Sequence, residues 1–185
     1  RNNNDVSGWA IYTVPANTSV SFNYPGSSWN AKHHNAGKHI STDEWHHLCW
    51  VYSGTSSAFY VDGVATPQPP TVSSNSAIPS YADILVGANY IMADNQKFSP
   101  EDLTAFVKGQ IDDVRIYRDA LSASDVTADA SANAPLTGKN VIAAYDFAEI
   151  NGLSVTDISG NGHTATLVGF PENAPGYTLT ITTPD

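Results

Sequence analysis

The chain has little cysteine, few basic residues and no long apolar run. The single cysteine, Cys49, lies in the apolar run 48–51, so no disulfide forms within the chain, and we interpret it as a buried thiol rather than a nucleophile. Lys and Arg number 8 against 18 Asp and Glu, which gives a formal charge of −10. This balance argues against nucleic acid or an anionic membrane surface as partner. No segment approaches the roughly 20 apolar residues of a membrane helix, so we expect no membrane insertion.

What the chain does contain is a recurring alternation of apolar and polar residues, rich in β-branched and aromatic side chains. Asp62-Gly63 follows one such segment and has the chemistry of a tight turn. Many short strands at this spacing predict an all-β fold, an antiparallel β-sandwich. The predicted strands are Gly8–Val14, Ser19–Tyr24, His46–Tyr52, Ala58–Val61, Ile84–Ala88, Gln110–Tyr117, Val141–Phe147, Ala165–Val168 and Thr178–Thr182.

Two short segments favour helix, and two others are typical of connections. Ser99–Leu103 begins with a capping serine and a proline at the first helical position, and Ser122–Val126 predicts a second short helix. Thr66–Ser80 is rich in proline and serine and is predicted to be a loop. Thr127–Lys139 has no periodicity and is predicted to be a linker.

Several motifs in this chain point to one family. They are Ser7-Gly8-Trp9, Asp43-Glu44-Trp45-His46-His47, Tyr60-Val61-Asp62-Gly63, the strand Ile111–Tyr117, and the stretches Ala144–Glu149 and Asp157–His163. Together they resemble the laminin-G-like, concanavalin A-type jelly-roll modules of secreted bacterial proteins. The resemblance implies a jelly-roll sandwich in which Val141–Phe147 lies beside Gln110–Tyr117.

The order of these motifs differs from that of the family. There, the stretch with Tyr-Asp-Phe and Ser-Gly-Asn-Gly opens the domain and the Ile111–Tyr117 type of strand closes it, whereas here the closing strand comes first. We therefore expect either a permuted module or one that is truncated or cleaved at its N-terminal side. The expected single domain, 1–185, has its central and C-terminal family strands at 1–126, a linker at 127–139 and N-terminal-type strands at 140–185.

Asp112 is the first candidate for chemistry. On an alternating strand it would share a face with Val114 and Ile116, so it is predicted to point inward. The resemblance brings Asp157 and Asn161 close to it, and these are oxygen ligands of the kind that Ca²⁺ prefers. We therefore expect either a structural Ca²⁺ held by Asp112, Asp157 and Asn161, or a metal-free arrangement in which Asp112 accepts backbone N–H bonds from the glycine-rich loop.

Histidines and aromatic residues supply the other candidates. Five histidines fall between positions 33 and 47, but without the spacing of a zinc site, and zinc is disfavoured. Trp9, Trp45 and Trp50 lie on predicted strands and are expected in the core. An aromatic face for a sugar ring, with short polar side chains for its hydroxyls, is predicted in the loops. The predicted carbohydrate contacts are Tyr24, Trp29, His33, His34, Asn89 and Tyr90.

Catalysis finds little support in the sequence. Jelly-roll glycosidases of similar fold carry two carboxylates on a Glu-x-Asp-x-x-Glu strand, whereas the 4 glutamates here are scattered and outside such a motif. The resemblance therefore implies a non-catalytic carbohydrate-binding module of a secreted or cell-surface, multi-modular glycan-active protein. Its expected partners are a glycan and neighbouring domains, or a cleaved fragment, of the same parent protein. The alternatives are a structural or protein-interaction module and, less favoured, a jelly-roll glycosidase.

Overall fold

The computed structural model describes residues 10–14, 19–23, 34–54, 56–67, 84–90, 103–104, 107–168 and 178–181. Within these ranges it has fifteen strands and one helix, and every strand pairing is antiparallel. The predicted all-β fold is confirmed. The chain forms two compact units: the first comprises Arg1–Ser80 and Ala120–Ala132, and the second Tyr81–Asp119 and Asn133–Asp185.

The first unit contains two three-stranded sheets and the helix. One sheet has the order β1-β2-β3 and the other the order β4-β5-β6. Their bounds are β1 Ala10–Val14, β2 Ser19–Asn23, β3 His34–His39, β4 Leu48–Tyr52, β5 Ser57–Val61 and β6 Val64–Ala65, and the helix α1 spans Ala123–Asp129.

The core of the first unit is built on strand β5. Phe59 and Val61 are fully buried, as the alternation of the strand predicts for residues that share a face. Trp50 of β4 packs against them, and Ile11 of β1 and Ile40 after β3 belong to the same cluster. One aromatic and aliphatic cluster therefore joins residues from both sheets of this unit.

A two-residue turn connects β5 to β6. Asp62 and Gly63 have φ angles of 54° and 75°, and Val61 pairs with Val64 across them, so the Asp-Gly turn predicted from the sequence is confirmed. The helix contacts this turn, because the Thr127 hydroxyl donates to the Gly63 carbonyl over 3.1 Å. At its N-terminus, Ser122 and Asp125 form a reciprocal capping box.

The second unit contains a two-stranded sheet β10-β11, a five-stranded sheet β12-β13-β14-β15-β7 and a short pair β8-β9. The bounds are β7 Ile84–Val86, β8 Asn89–Tyr90, β9 Leu103–Thr104, β10 Val114–Tyr117, β11 Val141–Tyr145, β12 Ile150–Asn151, β13 Ser154–Val155, β14 Ala165–Val168 and β15 Thr178–Ile181.

The core of the second unit joins β11 to the larger sheet. The buried cluster contains Ala143 and Tyr145 of β11, Val155 of β13, and Ala165 and Leu167 of β14. Val114 and Ile116 of β10 pack against it, which confirms that this face of β10 points inward. The predicted pairing also holds, because β10 and β11 are antiparallel neighbours with Val114 opposite Tyr145.

All nine predicted strands overlap a strand of the structure. Within the described residues, four are shorter than predicted: His46–Tyr52, Ile84–Ala88, Gln110–Tyr117 and Val141–Phe147. The strand β3, with the polar sequence His-Asn-Ala-Gly-Lys-His, was not predicted. Ser122–Val126 is confirmed as a helix, but the helix continues to Asp129, so the first residues of the predicted linker 127–139 are helical. Of the predicted helix Ser99–Leu103, only Leu103 lies within the described residues, and it begins β9.

Replacing the glycine of the Asp62-Gly63 turn tests how closely helix α1 packs against that turn. An added Cβ at Gly63 would lie 3.2 Å from the Thr127 Cα, whereas at Gly152, also at positive φ, it would meet nothing within 4 Å. We expect Gly63→Ala to lower the free energy of unfolding by about 2–3 kcal/mol and Gly152→Ala by about 1 kcal/mol. Urea denaturation followed by circular dichroism measures both, and equal losses would contradict this packing.

Candidate functional site

The loop after β13 carries a buried carboxylate with three backbone hydrogen bonds. Asp157 is buried, and its Oδ1 accepts hydrogen bonds from the backbone N–H groups of Ala144, at 3.0 Å, and Ser159, at 2.9 Å. Its Oδ2 accepts from the His163 N–H at 3.0 Å. Three amides therefore hold this carboxylate, and two of them belong to the glycine-rich loop itself.

The same loop is bonded along strand β11. The Ile158 N–H donates to the Ala144 carbonyl over 2.8 Å. The side-chain amide of Asn161 donates to the carbonyls of Val141 and Ile142, at 2.8 and 3.0 Å. Since the opposite side of β11 pairs with β10, the loop covers the edge of β11 that β10 leaves open.

These contacts shift the pKa values of Asp157 and Tyr145. Burial raises the pKa of Asp157, but hydrogen bonds from Ser159 and from the amides of Ala144 and His163 outweigh it and hold the pKa below its ordinary value. Burial, together with the charge of Asp157, raises the pKa of Tyr145 well above its ordinary range. The Tyr145 hydroxyl donates to the His163 carbonyl. At neutral pH the site thus holds an ionised carboxylate beside a neutral phenol.

The prediction that Asp112 points inward is wrong. Asp112 is exposed and precedes β10, and its Oδ1 accepts a hydrogen bond from the next residue, the Asp113 N–H, at 2.8 Å. Asp113 has a φ of 53°, so the chain is not extended there and the period-two argument does not reach Asp112. Asp113 instead forms an ion pair with Arg115 at 2.9 Å.

The predicted calcium ligands are not brought together. Asn161 bonds to Val141, which pairs with Tyr117, the last residue of β10. Asp112 instead precedes Val114, the first residue of β10. Among the described residues, no group of three His, Cys, Asp or Glu side chains is placed to hold a metal ion. The Asp157 oxygens also face amide donors. The loop amides bond to Asp157 and not to Asp112, so the metal-free alternative does not hold for Asp112 either. Binding of Ca²⁺ stays a prediction.

The histidines before β4 form a second polar cluster, in the first unit. His46 Nδ1 lies 3.0 Å from a carboxylate oxygen of Asp62, and His46 Nε2 lies 2.9 Å from the Ser41 hydroxyl. Ser41 also donates to Glu44. The His47 N–H donates to the other Asp62 oxygen at 3.0 Å, and the His47 ring lies 3.4 Å from Asp129. Carboxylates and a hydroxyl are thus the recorded neighbours of these rings.

Trp45 departs from its prediction. It was expected in the core, but it lies before the start of β4 and is 64% exposed. Trp50 packs against the core cluster as predicted, and Trp9 lies outside the described residues. The sequence prediction failed because the strand begins three residues after Trp45, so strand alternation does not determine its side.

Cys49 is partly buried, and its environment agrees with the predicted unreactive thiol. Burial, and secondarily the negative charge of Asp129, raise its pKa to about 12. Since the thiolate is the reactive form, such a thiol is unreactive near neutral pH. His47 and Asp129 lie in the same unit, yet this environment does not activate the cysteine as a nucleophile.

The predicted carbohydrate contacts fall in two groups. Tyr24, Trp29 and His33 lie outside the described residues. His34 begins β3, and Asn89 and Tyr90 form β8. Only the backbone of these three residues is described, so all six contacts stay a prediction.

Comparison with known proteins gives one family. A family model described as the concanavalin A-like lectin/glucanases superfamily matches residues 1–127. No match was found among curated proteins. A crystal structure of an S-layer domain-containing protein from Clostridium thermocellum is similar at 20% identity and a TM-score of 0.35. That alignment covers 69% of this chain and 65% of the other.

Replacing the buried carboxylate tests its role in the fold. In Asp157→Asn, a side-chain NH₂ would face one of the three amide donors, and the charge would be lost. We expect the free energy of unfolding at pH 7 to fall by about 3 kcal/mol, measured by urea denaturation. Asp112→Asn is the matched control, since it changes an exposed carboxylate with one local bond, and should cost less than about 0.5 kcal/mol.

The pH dependence supplies the second part of this test. Because the folded pKa of Asp157 is lowered, its stabilisation is complete above the unfolded value of about 3.9 and is lost as the pH falls through the folded pKa. The stability difference between wild type and Asp157→Asn should therefore narrow only below about pH 4. A difference that is the same at pH 7 and pH 2 would contradict the assignment.

Calcium removal tests the predicted metal site. Because the Asp157 oxygens already accept three N–H bonds, we expect the melting temperature to change by less than about 1 °C between millimolar CaCl₂ and excess EDTA. Differential scanning calorimetry of the wild-type protein measures this. A calcium-dependent rise of several degrees that disappears in Asp157→Asn would restore the calcium prediction.

Proposed function

The chain belongs to the concanavalin A-like lectin/glucanases superfamily, and from this premise we propose that it is a non-catalytic carbohydrate-binding module. The parent is proposed to be a secreted or cell-surface, multi-modular glycan-active protein. Only 14% of the residues of this chain are charged, and this low content supports an extracellular setting. No helix in the described part of the chain has the length and apolarity to cross a membrane.

One observation favours sugar binding over sugar hydrolysis as the function. Several aspartate carboxylates accept hydrogen bonds from backbone N–H groups. Asp157 accepts three backbone N–H bonds, and Asp62, Asp119 and Asp125 each accept one. A glycosidase needs two carboxylates about 5–10 Å apart across a cleft, one of them free to act as an acid. The aspartates named here serve the fold instead, which supports the lectin side of the superfamily.

A structural or protein-interaction module is the second candidate, and one surface favours it. In the hairpin formed by β12 and β13, Leu153 and Ile150 are both exposed. Exposed apolar side chains on an edge hairpin are suited to packing against a neighbouring domain. A protein contact at this hairpin is compatible with sugar binding elsewhere on the chain.

Glycan binding is the direct test of the proposed function. The folded protein should bind at least one class of immobilised oligosaccharide on a glycan array, confirmed by titration calorimetry, and it should release no reducing ends from that glycan. Trp29→Ala addresses the predicted contacts in the same assay. Failure of the folded protein to bind any glycan would refute the proposal, and glycan hydrolysis would replace it by the glycosidase alternative.

A further inference from the structure

We propose that Trp45 is a stacking platform for a neutral pyranose ring, with the exposed carboxylates of Asp43 and Glu44 on the same loop as acceptors for the sugar hydroxyls. This rests on the proposed carbohydrate-binding function and names a site that the sequence-predicted contacts do not include. Four observations carry it: the exposure of the indole, the bracing of its loop, the polar groups beside it, and their charge.

The exposure is unusual for a tryptophan. Trp45 is 64% exposed, whereas Trp50, five residues later, packs against the core. An indole is the largest apolar side chain, and leaving it in water forgoes the stabilisation that its burial would bring. An exposed indole also has the flat apolar surface that stacks on the C–H face of a pyranose.

The loop that carries Trp45 is braced on both sides. Before it, Asp43 has a φ of 64°, and the Ser41 hydroxyl donates to Glu44. After it, His46 contacts Ser41 at 2.9 Å and Asp62 at 3.0 Å. Both chain neighbours of Trp45 are therefore fixed by side-chain hydrogen bonds. A platform held in this way loses little conformational entropy when a ligand binds.

The polar residues on the Trp45 loop offer acceptors for the hydroxyls of a sugar. Asp43 and Glu44 precede Trp45 directly and are exposed, and the exposed Asp62 is bonded to the next residue, His46. Ionised carboxylates only accept hydrogen bonds, and they accept strongly from hydroxyl donors. An exposed apolar face on a loop that also carries acceptors supplies both kinds of group that carbohydrate recognition needs.

The charge of this surface selects among glycans. Three carboxylates lie on or next to the Trp45 loop, in a chain whose formal charge is −10. They would repel uronic acids and sulfated or sialylated sugars, so the ligand is a neutral hexose or pentose unit. The same carboxylates disfavour a protein partner that docks through a continuous apolar patch.

The experiment measures the binding of neutral gluco-, manno-, galacto- and xylo-oligosaccharides to the wild-type chain and its variants by titration calorimetry. Trp45→Ala should weaken the best neutral ligand about tenfold or more, while Trp45→Phe, which keeps an aromatic face, should retain most of the affinity. Leu153→Ala is the matched control, because Leu153 is also 64% exposed and lies in the other unit. It should bind as the wild type does.

A second variant tests the charge argument. Asp43→Asn keeps a side chain that tolerates positive φ but removes one charge, so binding of oligogalacturonates should increase relative to the wild type. Unchanged melting temperatures show that each variant is folded.

The outcomes separate the two proposals. If the wild type binds a neutral glycan and Trp45→Ala binds it equally well, Trp45 is not the platform, although the module still binds carbohydrate. If the wild type prefers oligogalacturonates to neutral sugars, the selection by charge is wrong. If the folded wild type binds no glycan, the proposed function and this inference both fail.

Discussion

A buried carboxylate must have its charge satisfied, and Asp157 meets this requirement with three backbone N–H groups. One of these, from Ala144, belongs to β11, and the other two lie in the loop itself, so the carboxylate fixes the loop against the strand. The side-chain amide of Asn161 also donates to two β11 carbonyls. Tyr145 of the same strand is buried, and its hydroxyl donates to the His163 carbonyl of the loop. The edge of β11 and the packing of its core face thus depend on one ionised side chain.

The same use of aspartate recurs in the other unit. Asp62 occupies the turn after β5, and its carboxylate accepts from the His47 N–H just before β4, so the turn and the start of the neighbouring strand are held together. Asp125 caps the helix in a similar way. The short side chain of aspartate reaches nearby backbone amides that the longer glutamate does not reach as readily. This accounts in part for 14 Asp against 4 Glu in the chain.

The sequence predicted those features that depend on strand alternation and turn chemistry. The strand β14 and the Asp62-Gly63 turn are placed as predicted, and the family motifs identified β10 and β11 as neighbours. Where the backbone leaves the extended state, alternation has no meaning, and Asp112 and Trp45 were assigned to the wrong environment for this reason. The strand β3 was missed because its glycine and polar residues have low strand propensity and its partner β2 supplies the pairing.

The hydrogen bonds between carboxylates and the backbone also affect whether these carboxylates can act as general acids. A general acid must be protonated at the working pH, which requires a raised pKa, whereas Asp157 and Asp119 are held below the ordinary value by the N–H donors that surround them. These two aspartates are therefore disfavoured as proton donors to a glycosidic oxygen. Recognition of a sugar needs no such proton, because stacking on an indole and hydroxyl bonds to ionised carboxylates suffice. For these two carboxylates, the electrostatics agree with the proposed binding of a glycan rather than its hydrolysis.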